Sequence, residues 1–418
     1  MKAITPFLII SALLMTGCNN TVKKKEKEEL ARKPDTVVQT AVGALQLPPP
    51  YATKSVTVRS TVKKWPADKM PVAPQGFIVS KFADGLKNPR NTYIAPNNDI
   101  FVAESNTSNS ANRITIFRDS DKNGSYETRK IFLSDLNQPY GMLVLGNYFY
   151  VANTDGLYRY PYHGELVMNN KGRKIVELPA GGYNNHWTRN LLASKDGSKI
   201  YISVGSASNV GEHGLENEKR RAAILEINPD GSGEKIYADG LRNPVGMDWN
   251  PITGELWAAV NERDGLGDDL VPDYITSVKK GGFYGWPYSY FGGIPDPRMK
   301  GHTPPKKSIV PDVPVGSHTA SLGLTFYTGT SFPSNYHNGA FVGQHGSWNR
   351  SEISGYKVLF VPFSGGKPGK PVDFLTGFVA NENTAKVYGR PVDVTQMSDG
   401  SLLVNDDSGN TIWKISVK

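Results

Sequence analysis

The chain has 418 residues, a formal net charge of +8, 43 Gly, 29 Pro and one Cys. The charge sits at the start of the chain, because residues 1–70 hold 12 Lys or Arg against 5 Asp or Glu, whereas residues 71–418 are nearly neutral. The long part of the chain thus lacks a basic excess, which excludes a nucleic-acid partner. A single Cys likewise excludes a disulfide framework.

The first 18 residues have the pattern of a lipoprotein signal peptide. Lys2 precedes an apolar run, Pro6 to Thr16, that is too short to span a bilayer as a helix. Its end, Leu14-Met15-Thr16-Gly17-Cys18, resembles the lipobox of bacterial lipoproteins. We predict a signal peptide over residues 1–17, lipidation of Cys18, and a periplasmic or outer-membrane-anchored protein that contacts the membrane through the lipid alone. The alternative is an ordinary signal peptide in which Cys18 has no role.

Residues 18–70 are predicted to be a disordered tether. This segment combines the basic run Lys23-Lys24-Lys25 with polar residues and with Pro48-Pro49-Pro50. Such a composition does not bury a core and is typical of a solvated linker. The folded domain is expected to occupy residues 71–418.

The rest of the chain is predicted to be all-β. Short alternating runs such as Asp99-Ile100-Phe101-Val102-Ala103 lie between Gly and Pro turns. Six related units, each long enough for four strands, start near Leu86, Leu136, Trp187, Leu241, Ala320 and Tyr388. We therefore predict a six-bladed β-propeller. Pairing of the C-terminal strand around Ile412-Trp413-Lys414-Ile415 with Phe77-Ile78-Val79-Ser80 is expected to close the ring.

An acidic loop occurs within the first unit. Asp119 to Glu127 places acidic or amide side chains at alternate positions and Gly124 at the sixth, like the first half of an EF-hand calcium loop. Lys130 stands at position twelve, where an EF-hand has its bidentate Glu. The segment is expected to form a hairpin turn between Ile116-Phe117 and Arg129-Lys130-Ile131. A calcium-stabilised turn and a bare Asn-Gly turn both remain open.

Polar residues recur where the innermost strand of each unit begins. The positions are Asn88 and Arg90, Gln138 and Tyr140, His186 and Arg189, Arg242 and Asn243, and Arg390 and Asp393. In a propeller these side chains converge on the central channel, where several arginines suit a small, anionic, oxygen-rich ligand. We include Gln138 and Tyr140 among the predicted ligand contacts. Turn capping is the alternative role, above all for Asn88 and Asn243.

Three segments in this order carry a family resemblance: Leu241-Arg242-Asn243-Pro244-Val245-Gly246, Asn261-Glu262-Arg263-Asp264 through Asp268-Asp269, and Gly281-Gly282-Phe283-Tyr284-Gly285-Trp286-Pro287. With them the chain resembles, over roughly residues 75–418, the soluble pyrroloquinoline-quinone (PQQ) dehydrogenases of the glucose/sorbosone dehydrogenase family. The resemblance implies a six-bladed propeller, PQQ in the central funnel, and Ca²⁺ between the cofactor and the protein.

The resemblance also implies roles for individual residues. His186 stands where the family has its catalytic base, and Arg242 and Asn243 match its cofactor-contacting pair. Arg350 replaces a cofactor-binding Lys, and Arg390 matches one of two late arginines. Arginines suit the three carboxylates of PQQ, and a His suits proton removal near neutral pH. His345 is the second candidate for the base.

Two calcium sites follow from the same resemblance. Asn261 and Glu262 fall where backbone carbonyls hold the calcium of the cofactor. Asp268, Asp269 and Tyr284 correspond to a second, structural calcium site. Ca²⁺ is a hard cation that takes such oxygen ligands.

The predicted activity is the PQQ-dependent oxidation of a sugar or sugar-derived aldehyde. Val392 and Asn185 stand where the glucose-oxidising branch has an Arg and an Asp, which favours the sorbosone-like branch. The sequence contains no Cys-X-X-Cys-His motif, so a separate electron acceptor is expected. The alternatives are a calcium-dependent lactonase or other hydrolase, which needs a carboxylate-rich channel, and a propeller that only binds a partner.

Overall fold

A computed structural model describes residues 34–108 and 110–418. The predicted signal peptide, Cys18 and the first part of the predicted tether lie outside these residues. Within the described ranges no helix is long and apolar enough to cross a membrane. Helical structure there is limited to four 3-10 turns, Leu215–Glu218, Pro297–Met299, Ser334–Tyr336 and Glu382–Thr384, and the all-β prediction is confirmed.

The described part of the chain forms six four-stranded antiparallel sheets. In the first five sheets the strands lie in chain order, and short Gly- or Asn-containing turns join many of the neighbours, whereas longer insertions follow Val204, Ser277 and Val361. The strands of the first three sheets are Pro89–Ile94, Ile100–Glu104, Arg113–Arg118 and Thr128–Leu133; Met142–Leu145, Tyr148–Asn153, Gly156–Pro161 and Arg173–Glu177; and Leu191–Ala193, Ile200–Val204, Ala223–Ile227 and Lys235–Asp239. Those of the fourth and fifth sheets are Asn243–Trp249, Leu256–Asn261, Pro272–Ser277 and Val313–Ser317; and Ser321–Phe326, Ala340–Gln344, Lys357–Val361 and Val372–Leu375.

The sixth sheet joins the two ends of the described chain. Its strands are Pro391–Gln396, Leu402–Asp406, Thr411–Val417 and Phe77–Ala83. The predicted pairing of the last strand with the segment after Gly76 is confirmed, with Ile415 opposite Val79 and Val417 opposite Phe77. The first strand of each sheet also contacts the first strand of the next, and the sixth contacts the first. The six innermost strands therefore surround a common axis.

Apolar side chains fill the spaces between sheets and the lower part of this axis. The strands that follow the innermost ones, such as Ile100–Glu104 and Ile200–Val204, are buried throughout because neighbouring sheets cover both of their faces. Along the axis, Tyr140, Trp187, Val245, Leu322 and Val392 form one buried cluster. This cluster is called here the axial floor, and its members Trp187 and Leu322 also line the cavity described next.

The described residues also form four smaller sheets of two or three strands. They are Thr36–Thr40 with Gly43–Leu47, Ser289–Tyr290 with Ile294–Pro295, Phe363–Ser364 with Lys367–Pro368, and Val379–Asn381 with Lys386–Val387, to which Thr61–Val62 adds in parallel. The acidic loop has the predicted hairpin position, since Phe117 pairs with Arg129. The carboxylates of Asp119, Asp121 and Glu127 converge there. Amides of the turn itself already donate to Asp119 and Glu127.

Residues 34–70 differ from the predicted disordered tether. The hairpin Thr36–Thr40/Gly43–Leu47 buries Leu47 against the fourth sheet, and the chain continues across the face of the ring. Trp65 packs against the rings of Tyr388 and Trp413, and its indole N–H donates to the buried Asp406 carboxylate at 2.9 Å. The expectation of disorder was wrong for these residues because a few backbone hydrogen bonds and one aromatic anchor hold a polar segment in place.

Candidate active site

A cavity of about 640 Å³ opens at one end of the axis, above the axial floor. Two sets of strand ends supply its walls. Residues at or before the start of innermost strands contribute Arg90, His186, Arg242, Asn243, His318 and Arg390. Residues at the end of second strands contribute Asn261, Glu262 and His345. Since both sets of ends lie on the same face of the ring, the antiparallel order of the sheets is what concentrates polar groups here.

Three arginines of the ring line the cavity, and protein groups hold each one differently. Arg242 is only 2% exposed, and its Nη2 lies 3.2 Å from the Asp264 carboxylate. Arg90 forms an ion pair with the buried Asp407. Arg390 has no carboxylate within ion-pair distance among the described residues, and its guanidinium donates to the carbonyl oxygens of His345 and Gly346. These contacts fix the three charges before any ligand arrives, which is the arrangement that binds anions well.

Two polar atoms of the cavity lining are buried without a hydrogen-bond partner among the described residues. They are Nε of Arg90 and Oδ1 of Asn243. A buried donor or acceptor that lacks a partner costs free energy, so such atoms usually await a ligand or water. Gly205 leaves the room that Asn243 occupies, because a Cβ at that position would collide with Asn243 Oδ1 and would lie 2.6 Å from the Cβ of His186.

His186 is positioned as a neutral imidazole with a free ring nitrogen. Its Nδ1 lies 2.8 Å from the Ser206 carbonyl oxygen, so Nδ1 carries the hydrogen and the lone pair is at Nε2. The only described neighbour of Nε2 is Asn185 Nδ2 at 3.5 Å, which is too far for a good bond. Burial, and then the charge of Arg242, lower the pKa of His186 to about 3. The buried guanidinium of Arg189 donates to the His186 carbonyl at 2.8 Å and holds the backbone in place.

Acidic groups of the fourth sheet form the opposite wall. Asp264 lies 3.1 Å from His318 Nδ1, and the pKa of His318 is raised even though burial opposes the charged ring, because Asp264 pairs with it. Burial raises the pKa of Glu262 to about 8 and that of Asp273 to about 6. Burial therefore favours the protonated form of Glu262, whereas His318 and Arg242 oppose the effect of burial on Asp264 and lower its pKa.

A second histidine belongs to a different cluster. His345 Nε2 lies 2.9 Å from Asp407, and Arg90 Nη1 lies 3.2 Å from the same nitrogen. Burial, and then the charge of Arg390, lower the pKa of His345 to about 3. Because Nε2 of His345 already contacts Asp407, it is less available than Nε2 of His186 to accept a proton from a bound molecule.

Gln138 and Tyr140, both predicted as ligand contacts, do not line the cavity. Gln138 donates to the Asn106 carbonyl at 3.2 Å. Tyr140 is 1% exposed and belongs to the axial floor, where its ring meets Trp187 at 6.4 Å between centroids. We expected the Tyr140 side chain to point into the cavity because this residue precedes an innermost strand. Successive side chains of an extended segment point in opposite directions, and that of Tyr140 points into the axial floor.

Arg350 and the predicted second calcium set also lie outside the cavity lining. Arg350 donates to the Asp268 carbonyl at 2.7 Å and pairs with Asp269 at 3.1 Å. The Asp268 carboxylate accepts hydrogen bonds from Ser351. Tyr284 is held elsewhere, where its hydroxyl donates to the Ser277 carbonyl at 2.5 Å. The structure thus joins Arg350 to the two aspartates and does not join Tyr284 to them by any contact it describes.

Several lining residues escaped the sequence analysis. His318 was not among the predicted site residues, although it comes two residues before Ala320, where the fifth predicted unit starts. Asp264 follows the strand Leu256–Asn261, and Asp273 is the second residue of the strand Pro272–Ser277. Nothing in the local sequence distinguishes these two residues from acidic residues of ordinary surface loops. Arg59 and Ser60 line the cavity from the segment that was expected to be disordered. Of these residues only His318 could have been predicted from the sequence, because it lies just before an innermost strand, as the other predicted cavity residues do.

The comparisons with known proteins agree with this architecture. The sequence profile of the TrAA12-like family matches residues 71–274 and 294–418. An uncharacterized protein of Borreliella burgdorferi is 30% identical over 360 residues, which are 82% of this chain and 89% of that protein. The chain therefore belongs to the TrAA12-like family, and its predicted place among the soluble PQQ sugar dehydrogenases is confirmed.

Two characterised proteins lie at greater distance. The pyrroloquinoline quinone-dependent pyranose dehydrogenase of Coprinopsis cinerea is 24% identical over 84% of this chain, which spans about half (55%) of that enzyme. The calcium structure of the Trichoderma reesei family AA12 enzyme superposes with a TM-score of 0.70 at 19% identity, covering 87% of this chain and 99% of that one. At this identity the structural likeness establishes the fold.

Proposed function

We propose that the protein is a PQQ- and Ca²⁺-dependent dehydrogenase that oxidises a sugar or sugar-derived aldehyde, and that its six sheets are the blades of a six-bladed propeller. The observation that carries the proposal is the cavity itself, where three fixed arginines and two unpartnered polar atoms surround a histidine with a free nitrogen. The pyranose dehydrogenase of Coprinopsis cinerea and the calcium structure of the AA12 enzyme are the relatives that support these cofactors.

The residues of the cavity fit a tricarboxylate such as PQQ. Arg390 lacks a protein carboxylate, and only its Nε and Nη2 atoms have described partners, so its Nη1 atom has a donor to offer an anion. Nε of Arg90 and Oδ1 of Asn243 are buried without a partner, which favours a bound group or water next to them. Trp187 and Leu322 of the axial floor line the same cavity, and apolar surroundings strengthen electrostatic contacts.

Calcium has candidate ligands in the same wall. The carbonyl oxygens of Asn261 and Glu262 accept from Arg242 Nη1 at 3.3 and 2.6 Å, and each carbonyl has a second lone pair. A hard cation there would take these oxygen ligands, and its charge would oppose the effect of burial, which raises the pKa of Glu262.

His186 supplies the proton transfer. Oxidation of a hydroxyl or hydrated aldehyde removes a hydride from carbon, which bound PQQ accepts, and a proton from oxygen. His186 Nε2 is the unoccupied basic atom of the cavity, and the hydrogen bond from Nδ1 to Ser206 holds the required tautomer. Arg189, which anchors the His186 backbone, acts as a positioning residue.

The hydrolase alternative needs carboxylates that are available to a metal or to water. Glu262, Asp264 and Asp273 line the cavity, yet protein donors already contact each of them. The Arg263 amide donates to Glu262, Arg242 and His318 contact Asp264, and the Ser321 amide donates to Asp273. The arginines remain the groups with unused donors, which favours an anionic cofactor over a lactone substrate.

We further propose that the protein is a lipoprotein of the periplasm or outer membrane, anchored only through Cys18, and that a separate acceptor removes the electrons. The sequence pattern around Cys18 supports the anchor. The specificity for a sorbosone-like substrate rests on Val392 and Asn185, the first of which lies in the axial floor.

The proposed function is tested by titrating the purified protein with PQQ in the presence of Ca²⁺ and following the quinone absorbance. We expect saturable binding, loss of binding when a chelator removes Ca²⁺, and sugar-dependent reduction of an artificial acceptor dye by the loaded protein. Binding without turnover of any sugar or aldehyde favours the binding-protein alternative. Hydrolysis of lactones without PQQ overturns the proposal.

A further inference from the structure

A strap from the N-terminal part of the chain forms one wall of the cavity. Residues 51–65, called here the strap, cross the face of the ring and are attached on both sides of Arg59. The amide of Val58 donates to the Trp348 carbonyl at 2.8 Å, and the amides of Thr61 and Lys63 donate to Ala385 and Val387 at 2.8 and 2.7 Å. The strap is therefore a fixed part of the site.

Arg59 differs from the other arginines of the cavity. Its side chain is exposed, it lines the cavity, and it makes no hydrogen bond or ion pair with another residue in the ranges 34–108 and 110–418. Arg90 and Arg242 have carboxylate partners, and Arg390 donates to two carbonyls. Trp348, which is 45% exposed, lines the cavity beside the attachment point of the strap and offers an aromatic face.

From this we infer that Arg59 binds an anionic group of the substrate, so that the enzyme prefers aldoses that carry a carboxylate or a phosphate over neutral aldoses. The inference rests on the proposed function and narrows its substrate class. A guanidinium recognises both groups through paired N–H donors. The apolar face of the sugar ring packs on Trp348, and the reacting carbon points inward to His186.

The test compares kcat/KM of the PQQ- and Ca²⁺-loaded protein for glucose, glucuronate and glucose 6-phosphate, with an artificial acceptor. We expect one or both anionic sugars to be preferred, and the two arms distinguish carboxylate from phosphate. Arg59→Gln lowers the ratio of kcat/KM for the preferred anionic sugar over glucose by roughly 10- to 100-fold, the effect of one charge-assisted contact. Arg59→Lys retains part of the preference.

Lys54→Gln is the matched control, because it removes one positive charge from the same strap at an exposed residue that does not line the cavity. We expect Lys54→Gln to have the same ratio of kcat/KM for the anionic sugar over glucose as the wild type. Quenching of tryptophan fluorescence by the anionic sugar gives a second readout, and Arg59→Gln weakens that binding by the same factor. Circular dichroism and thermal unfolding verify that each variant is folded.

The outcomes separate the two proposals. A protein that binds PQQ and oxidises glucose at least as well as both anionic sugars overturns this inference alone. An anionic preference that Arg59→Gln leaves unchanged, or that Lys54→Gln reduces equally, also overturns it. Failure to bind PQQ overturns the proposed function, and the inference with it.

Discussion

Replacement of His186 by Gln tests the chemistry most directly. Gln has a polar side chain of similar length, yet its amide has no basic nitrogen. In the wild type Nδ1–H donates to Ser206 at 2.8 Å and Nε2 remains free for the substrate proton. Loss of a positioned general base lowers turnover by roughly 10²- to 10⁴-fold. This corresponds to about 3–5 kcal/mol of transition-state stabilisation.

The structure also predicts the direction in which turnover changes with pH. The base must be neutral, so turnover falls as pH drops through the pKa of His186. Burial and Arg242 hold that pKa at about 3 in the cofactor-free protein. Anionic groups of a cofactor in the cavity would offset part of the charge of Arg242, so in the loaded enzyme we expect the acid limb between that value and the ordinary value of about 6.5 for histidine. The limb is absent from the residual activity of His186→Gln.

The assay is initial-rate dye reduction by PQQ- and Ca²⁺-loaded protein between pH 4 and 8, with PQQ binding measured separately. His186→Gln is expected to bind PQQ nearly as the wild type does, because the arginines hold the cofactor. The exposed His302 provides the control substitution His302→Gln, which leaves rate and profile unchanged. Near-normal turnover of His186→Gln would refute the assignment, and His345→Gln then becomes the variant to measure.

Four other predictions concern cofactor binding, the anchoring of the strap, the pH dependence of stability, and membrane attachment. Arg390→Ala weakens PQQ binding by roughly 10- to 100-fold, as a quinone-absorbance titration measures, and saturating PQQ restores part of the activity; an unchanged titration places Arg390 outside the cofactor site. Trp65→Phe removes a hydrogen bond from the buried Asp406 and lowers the free energy of unfolding by about 1–3 kcal/mol in denaturant titrations; no loss would show that the strap is not anchored there. The folded-state pKa of His186 lies below its unfolded value, so the unfolded state binds more protons below about pH 6.5 and the free energy of unfolding decreases as pH falls from there toward 3; His186→Gln makes that decrease shallower. Cys18→Ser releases the protein from the membrane fraction, and wild-type protein that is fully soluble after fractionation contradicts lipid anchoring.

The strands and the closure of the ring were readable from the sequence. Alternation in Asp99 to Ala103 predicts a strand, and the structure has Ile100–Glu104. Each of the six predicted units starts a few residues before an innermost strand of a sheet. Turn residues and two-residue periodicity are local properties, so neighbouring residues suffice to specify them.

The strap was not readable because its support is remote. Trp65 donates to Asp406, a residue 341 positions away, and Asn349 donates to the Val56 carbonyl. The composition of residues 34–70 lacks the apolar pattern of a core, and nothing within the segment reveals the edge of the ring on which it lies. Contacts between distant parts of the chain order it, and with it they bring Arg59 to the cavity.

The sequence by itself determined which residue types are concentrated at the starts of the innermost strands, and His186, Arg242, Asn243 and Arg390 all line the cavity. The tertiary structure decided which way each one faces. Tyr140 occupies the same kind of position and turns into the axial floor, whereas Arg350 is taken by Asp268 and Asp269. A shift of one residue along a strand reverses the direction of a side chain, and only packing against neighbouring sheets fixes that register.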